Sequence, residues 1–273
     1  MKKVTALYFS ATLTTKKVTV AIANSLANEM GLKVSEIDIT TPKQREQKIE
    51  FGEDDIVVFG SPVFSGRMPN MFVPYYKEIK GNGALGVAVA VYGNRAYDDG
   101  LIELTDIMKA DGFKCVAAGA FIGEHSFTKD LATGRPNEDD LKKAEKFGTE
   151  IAEEIKRGDE IVELKVPGNA YPFYKAIDTK GKVDMSKVVP VTDSKLCLKC
   201  GYCAEICPMG AINKEDFSKV DGICIKCGAC IKRCPQGAKR FTDEVYISCK
   251  NMLVEKCKGL KCEPEMFFGM KKK

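Results

Sequence analysis

No stretch of this sequence approaches the roughly 18 apolar residues that a membrane helix needs. The longest plain run, ALGVAVAVY at 84–92, is half of that. An export signal is missing too, because the N-terminal MKKVTALYFSATL meets Ser and Thr before any apolar core develops. Cysteine is nearly absent from the first 196 residues, where Cys115 stands alone. There is no G-x-G-x-x-G fingerprint between strand and helix, which argues against a dedicated NAD(P)H site. A basic recognition helix and zinc-finger spacing are also lacking, so no nucleic-acid partner is expected. These absences describe a cytoplasmic protein with no membrane span.

What is present is a chain of 273 residues, enough for one large core and a smaller domain. Hydrophobic residues make up 44% and charged residues 29%, the balance of a globular protein. Eleven of the twelve cysteines fall between Cys197 and Cys262, and that step in composition marks a domain boundary. Without an export signal, such a cluster points to metal rather than disulfides. The boundaries expected are a first domain over 1–158, a linker over 159–190, a cysteine domain over 191–243, and a C-terminal helix with a basic tail over 244–273. The Pro- and Gly-bearing segment VPGNAYPFYKAIDTKGKVDMSKVVP suits a connector. Its Tyr171, Phe173 and Tyr174 are read as packing between domains.

The first domain alternates strand and helix patterns. VTALYF (4–9), LKVSEIDI (32–39), DIVVFG (55–60), ALGVAVAVY (84–92) and KCVAAGAFI (114–122) suit strands. The last three are nearly continuous in apolar residues, as in a sheet covered on both faces. Val18, Ile22, Leu26 and Met30 stripe the first helix; Leu141, Ala144, Phe147, Ile151 and Ile155 stripe the last. Five such units predict a doubly wound, five-stranded parallel α/β sheet whose ligand sits at the carboxyl ends of the strands.

Three loops follow strand ends: SATLTTK (10–16), SPVFSGRMP (61–69) and YGNRAYDDG (92–100). The first enters a helix directly, and a helix N-terminus favours a phosphate through its N–H groups and dipole. The plain alternative makes Thr12 or Thr14 an ordinary N-cap. This pattern resembles flavodoxin. The spacing Ser10-x-Thr12-x-Thr14-Thr15 is similar to that family's hydroxyl-rich loop around the FMN phosphate, with Leu13 where glycine is usual. If that position needs positive φ, leucine is strained there.

The resemblance implies that Ser61, Pro62, Val63, Phe64, Ser65 and Gly66 flank one side of the isoalloxazine ring. Tyr92, Gly93, Asn94, Arg95, Tyr97 and Asp98 would flank the other. Gly66 would be the glycine near the flavin N5 edge, and Phe64, Tyr92 and Tyr97 are candidates for stacking. Asn94, Asp98 and Asp99 either meet the pyrimidine end of the ring or cap the next helix, with capping the better reading for the aspartates. Arg67 balances flavin charge or faces solvent. His125, the only histidine, is a candidate proton donor beside Glu124 or the organiser of its loop. Cys115, in a strand pattern, reads as a buried thiol.

The cysteine domain holds an internal repeat. CLKCGYCAEICPMGAI (197–212) and CIKCGACIKRCPQGAK (224–239) share nine of sixteen residues, each containing C-x2-C-x2-C-x3-C-P. Zinc is the plain alternative, but this repeated spacing is that of the bacterial ferredoxin run. Resemblance to two-cluster ferredoxins assigns Cys197, Cys200, Cys203 and Cys234 to one [4Fe-4S] cluster. Cys224, Cys227, Cys230 and Cys207 take the other. Together with PVFSGRMP, YGNRAYDD and GEHSF, the whole chain resembles a bacterial and archaeal family that fuses a flavodoxin-like domain to such a ferredoxin. Cys249, Cys257 and Cys262 are read as buried or free thiols.

Two oxidised cubanes would each add roughly −2 to the formal charge of +4, leaving the loaded protein near neutral. The function expected is electron transfer between two [4Fe-4S] clusters and FMN, and on to a weakly and transiently bound redox protein. The alternative is an FMN-dependent reductase of a small organic substrate, with His125 or Tyr97 as proton donor. A regulator that uses the clusters structurally is the third and least favoured class.

Overall fold

The computed structural model describes residues 3–169 and 184–272. In chain order the elements are β1 (Lys3–Tyr8), α1 (Thr14–Met30), β2 (Val34–Asp38), β3 (Asp55–Pro62), α2 (Val73–Tyr76), β4 (Leu85–Tyr92), α3 (Gly100–Ala110), β5 (Lys114–Ile122) and α4 (Glu138–Arg157). There follow β6 (Glu160–Ile161), β7 (Val191–Thr192), α5 (Tyr202–Glu205), α6 (Ala229–Lys232), β8 (Lys239–Arg240), α7 (Glu244–Cys257), β9 (Glu265–Phe268) and β10 (Met270–Lys271). Tyr171, Phe173 and Tyr174 lie outside the described residues.

The main sheet has the order β2-β1-β3-β4-β5-β9. The first five strands are parallel, and their order 2-1-3-4-5 is that of flavodoxin-like doubly wound folds, reversing direction between β1 and β3. The sixth strand was not expected from the sequence. β9, from the C-terminal segment, pairs antiparallel with β5, placing Ala117 opposite Phe268 and Ala120 opposite Glu265. Only four residues long and carrying Glu265, it had too weak a pattern to separate from the tail.

Alternation along β1 sends Val4, Ala6 and Tyr8 to one face and Leu7 to the other. On the first face Val18, Ile22 and Leu26 of α1 pack with Phe147 and Ile151 of α4. On the second, α3 contributes Leu101, Leu104 and Met108 beside Phe59 and Tyr76. The striped positions of α1 and α4 are therefore mostly the buried ones, with Met30 and Ile155 at the margin and Leu141 half-buried outside the core. α4 begins at a capping box in which Asn137 and Asp140 each accept the other's backbone N–H.

α1 and α4 approach closely at Gly148, where a Cβ would stand 2.4 Å from the carbonyl oxygen of Ile22. Alanine at an ordinary helix interior gains about 1 kcal/mol over glycine. Here the clash is with backbone, so Gly148→Ala should instead destabilise by about 1–3 kcal/mol. Urea unfolding followed by circular dichroism would check this, and a stabilised variant would contradict the packing.

Candidate functional site

The loop after β1 reaches α1 through Leu13, which occupies the N-cap position with φ 69°. The left-handed conformation that the resemblance implied is thus present, and on a leucine. Neither Thr12 nor Thr14 caps the helix, since the cap residue makes no side-chain bond. Ser10 does the equivalent work: its Oγ accepts the N–H of Lys16 at 2.9 Å, while its own N–H donates to Thr40 Oγ1 at 2.8 Å. Thr12 Oγ1 and Thr14 Oγ1 lie 3.5 Å apart, and Thr15 is buried.

After β3 the chain makes a tight turn. Phe64 N–H donates to Arg67 O at 2.8 Å and Arg67 N–H donates back to Phe64 O at 3.1 Å. The two residues between, Ser65 (φ 51°) and Gly66 (φ 80°), both take positive φ, as a type I′ turn requires. Gly66 O accepts the N–H of Asp99 at 3.0 Å, tying this turn to the next loop. Phe64 meets Phe9 edge-on at 6.3 Å, and Ser61 Oγ is 2.9 Å from the hydroxyl of Tyr76. Arg67 is committed to a bidentate pair with the buried carboxylate of Glu103. It belongs to the scaffold of the turn, a role the sequence did not suggest.

In the third loop Tyr92 and Tyr97 are both buried, with ring centroids 5.5 Å apart. Asn94 (φ 62°) and Asp98 (φ 42°) are again left-handed. The Asn94 amide donates to the carbonyls of Cys257, at 3.4 Å, and Leu260, at 3.1 Å. Cys262 Sγ donates to Asn94 O at 3.6 Å, and the Tyr97 hydroxyl donates to Glu265 at 2.9 Å. The C-terminal segment therefore straps this loop from outside. Asp98 pairs with Arg95. Asp99 stands at the N-cap of α3, yet its carboxylate bonds Asn169 N–H rather than capping the helix.

Beyond β5, His125 Nδ1 accepts the backbone N–H of Phe127 at 3.1 Å, which organises the loop. Burial, with the nearby charges of Lys232 and Arg95, pulls the His125 imidazole from its usual 6.5 down to about 4. Glu124 forms a partly buried pair with Lys232 of α6 at 2.6 Å. Cys115 is buried, and burial pushes its thiol up to about 12.

The cysteine repeats fold into two matching units. Lys199 and Lys226 have φ 54° and 55°, and Gly201 and Gly228 both have φ 77°. Ala211 N–H donates to Cys207 Sγ and Ala238 N–H to Cys234 Sγ, each at 3.3 Å. Two pockets result. One is lined by Cys197, Cys200, Cys203 and Cys234, the other by Cys207, Cys224, Cys227 and Cys230. The fourth cysteine of each run thus joins the other run's three. Burial pushes the Cys227 thiol up to about 12 and Cys230 higher still. Thiolates in that apolar pocket need a bound cationic centre to offset them.

Both units pack onto the α/β domain. Ile206 of the first and Ala229 of the second are buried in the same apolar core as Leu7 and Phe59, with Met209 of the first and Ile225 and Cys227 of the second against it. Arg45, which no motif singled out, donates to the carbonyls of Ile39, Thr40 and Pro208 at 2.7–2.9 Å, stitching the end of β2 to the first repeat.

Residues 196–239 match the family model described as a 4Fe-4S dicluster domain. An α/β domain with the strand order of flavodoxin-like folds is thus followed by a segment similar to 4Fe-4S dicluster domains. No curated protein matches it in sequence. Among solved structures, a flavodoxin from the domain Archaea is similar, with 20% identity, 57% of this chain and 99% of that one covered, and a TM-score of 0.40. Two-electron reduced Megasphaera elsdenii flavodoxin has 15% identity, 56% and 99% covered, and a TM-score of 0.37. A flavone reductase has 16% identity, 57% and 63% covered, and a TM-score of 0.39. The fold assignment rests on strand order, and the two domains together support a redox or electron-transfer role. Among the described residues no helix is long and apolar enough to cross a membrane.

Two outcomes follow from this geometry. The left-handed backbone at Leu13 costs about 1–2 kcal/mol, against roughly 0.5–1 kcal/mol of added chain entropy for glycine. Leu13 is 37% exposed, so some burial is lost as well, and Leu13→Gly should change stability by less than about 1 kcal/mol in urea unfolding, far below the cost of losing a core leucine. His125 binds its proton near pH 6.5 in the unfolded chain and near pH 4 in the folded one. The unfolded state therefore takes up more protons in that window, and stability falls as pH drops from 6.5 to 4, by up to roughly 3 kcal/mol. His125→Asn, which keeps an acceptor for Phe127 N–H, should flatten that part of the pH–stability curve.

Proposed function

We propose that the chain is an electron-transfer protein carrying FMN and two [4Fe-4S] clusters and exchanging electrons with a redox protein. The observation that carries this reading is the sorting of the eight cysteines into two four-thiol pockets, one of them sharing a core with the strand-end loops. Cys197, Cys200, Cys203 and Cys234 would hold one cluster, and Cys207, Cys224, Cys227 and Cys230 the other. When bound, the clusters would supply one-electron chemistry, and FMN one- or two-electron chemistry.

The FMN phosphate would lie at the start of α1, where the Thr12 and Thr14 hydroxyls converge and can donate to one oxyanion. Ser10 Oγ accepts from Lys16 N–H and keeps its own proton to donate. Thr15 and Leu13 would contribute backbone there. The Ser61–Gly66 and Tyr92–Asp98 loops would embrace the ring, and the Ser65–Gly66 turn offers a peptide free to change orientation. The domain limits 1–158, 159–190, 191–243 and 244–273 are proposed with one amendment. The last segment returns to the main sheet through β9 and serves the first domain.

A carrier is favoured over a reductase of a small organic molecule by the state of the two candidate proton donors. His125 is neutral at physiological pH and its Nδ1 is already an acceptor. The Tyr97 hydroxyl is committed to Glu265 and held above its ordinary range by burial and that carboxylate. A partner would dock over a small interface and leave quickly.

Anaerobic purification followed by iron, sulfide and flavin analysis tests the reading. About eight iron and eight sulfide per chain are expected from two cubanes, with about one FMN. Eight iron with no flavin, even after FMN is added, would remove the flavodoxin half of the proposal.

A further inference from the structure

The residues Gly123–Thr128, which follow β5, touch the start of α1, the third strand-end loop and the second cysteine unit. At one end, a Cβ on Gly123 would stand 2.9 Å from Thr14 Cβ, so this loop lies against the phosphate-side loop. The His125 ring abuts Gly93, whose missing Cβ would come within 2.5 Å of His125 Cδ2. His125 in turn meets Phe127 edge-on at 5.4 Å, and Phe127 lies 4.6 Å from Tyr246. Phe127 and Cys224 pack into the same apolar cluster around Tyr246. Two further contacts hold the arrangement closed. Glu124 pairs with Lys232, and the carbonyl of Ser126 lies 2.7 Å from where a Cβ on Gly228 would be.

The two cysteine sets differ in surroundings. Cys227 packs against the core of the α/β domain, and Cys224 against Phe127's cluster. In the other set Cys200 is exposed, beside Leu198, which is 70% exposed, and none of its four cysteines packs against the α/β core.

We infer that the Gly123–Thr128 loop couples the FMN site to the cysteine set 207/224/227/230, making it the inner station, and that the set 197/200/203/234 is the outer station for external electrons. The inference rests on the cofactor reading above and goes beyond it by fixing the order of the relay. The transfer is a single electron: the inner cluster is oxidised as FMN is reduced by the same electron, or the reverse, and no bond in the protein forms or breaks. Phe127 and Lys232 are positioning residues, Phe127 filling the space between the His125 ring and Tyr246, and Lys232 clamping α6 to Glu124.

The test uses the full chain, loaded anaerobically, with FMN, iron and sulfide measured for every variant first. A deazaflavin flash reduces FMN, and its reoxidation by the clusters within the molecule is followed by absorbance. Emptying the space that Phe127 fills relaxes the packing between the His125 ring and Tyr246, so Phe127→Ser should slow this phase by about threefold or more, with cofactor content unchanged. Lys232→Met should slow it in the same direction. Cys230→Ser, which removes an inner thiol, should abolish the phase, whereas Cys203→Ser, which removes an outer one, should slow reduction of the clusters by dithionite. The opposite result for the two cysteine variants, or an unchanged rate in Phe127→Ser, would overturn the inference. If the cysteine variants do not fold, Phe127→Ser and Lys232→Met still decide it. A wild-type chain that holds no FMN or too little iron would count against the cofactor reading, a separate failure visible before any flash.

Discussion

Gly228 opens the short helix of the second cysteine unit with no room for a side chain under the carbonyl of Ser126. That close approach, braced by Glu124–Lys232, fixes where the cysteine domain can sit on the α/β domain. The rest follows from it. α6 can then bury Ala229 in the sheet's own apolar core, and Cys227 lies beneath it. A buried ion pair by itself is a poor source of stability, because desolvation offsets much of the attraction. Its value here is positional: breaking it would leave a charge stranded against the loop that reaches both proposed cofactor regions.

Backbone strain is concentrated in the same places. Of the eight non-glycine residues with positive φ among those described, six are Leu13, Ser65, Asn94, Asp98, Lys199 and Lys226. Four lie in the three strand-end loops and two in the cysteine repeats. Strain of this kind persists only where the surroundings over-determine it. The surroundings here are visible: Gly66 O holds Asp99 N–H, Arg67 is forked onto Glu103, and the C-terminal segment grips Asn94 from two carbonyls.

Much of the fold was legible in the sequence because its elements are locally encoded. The five parallel strands are apolar runs bounded by turn residues, and α1 and α4 carry a period near 3.6 that survives as the buried stripe. The cysteine runs were legible for a similar reason, since their spacing is a local property. The sites' supports were not. Arg45 sits in TPKQREQK without any pattern, yet it joins the end of β2 to Pro208. Glu103 lies on α3, 36 residues from the Arg67 it holds. Nor did the sequence indicate that the aspartate at the start of α3 would bond Asn169 rather than cap the helix.

The sequence by itself determined the alternation of strands and helices, the hydroxyl-rich and aromatic strand-end loops, and two cysteine runs able to share ligands, because these depend on neighbours within a few residues. Only the tertiary structure decided that β9 closes the sheet edge beside β5 and that the tail straps the Tyr92–Asp98 loop. It alone decided, too, that Cys227 of one cysteine set packs against the α/β core while Cys200 of the other is exposed. Those choices turn on contacts between residues 108 to 168 positions apart, whose energies come from shared burial and paired charges that no local pattern carries.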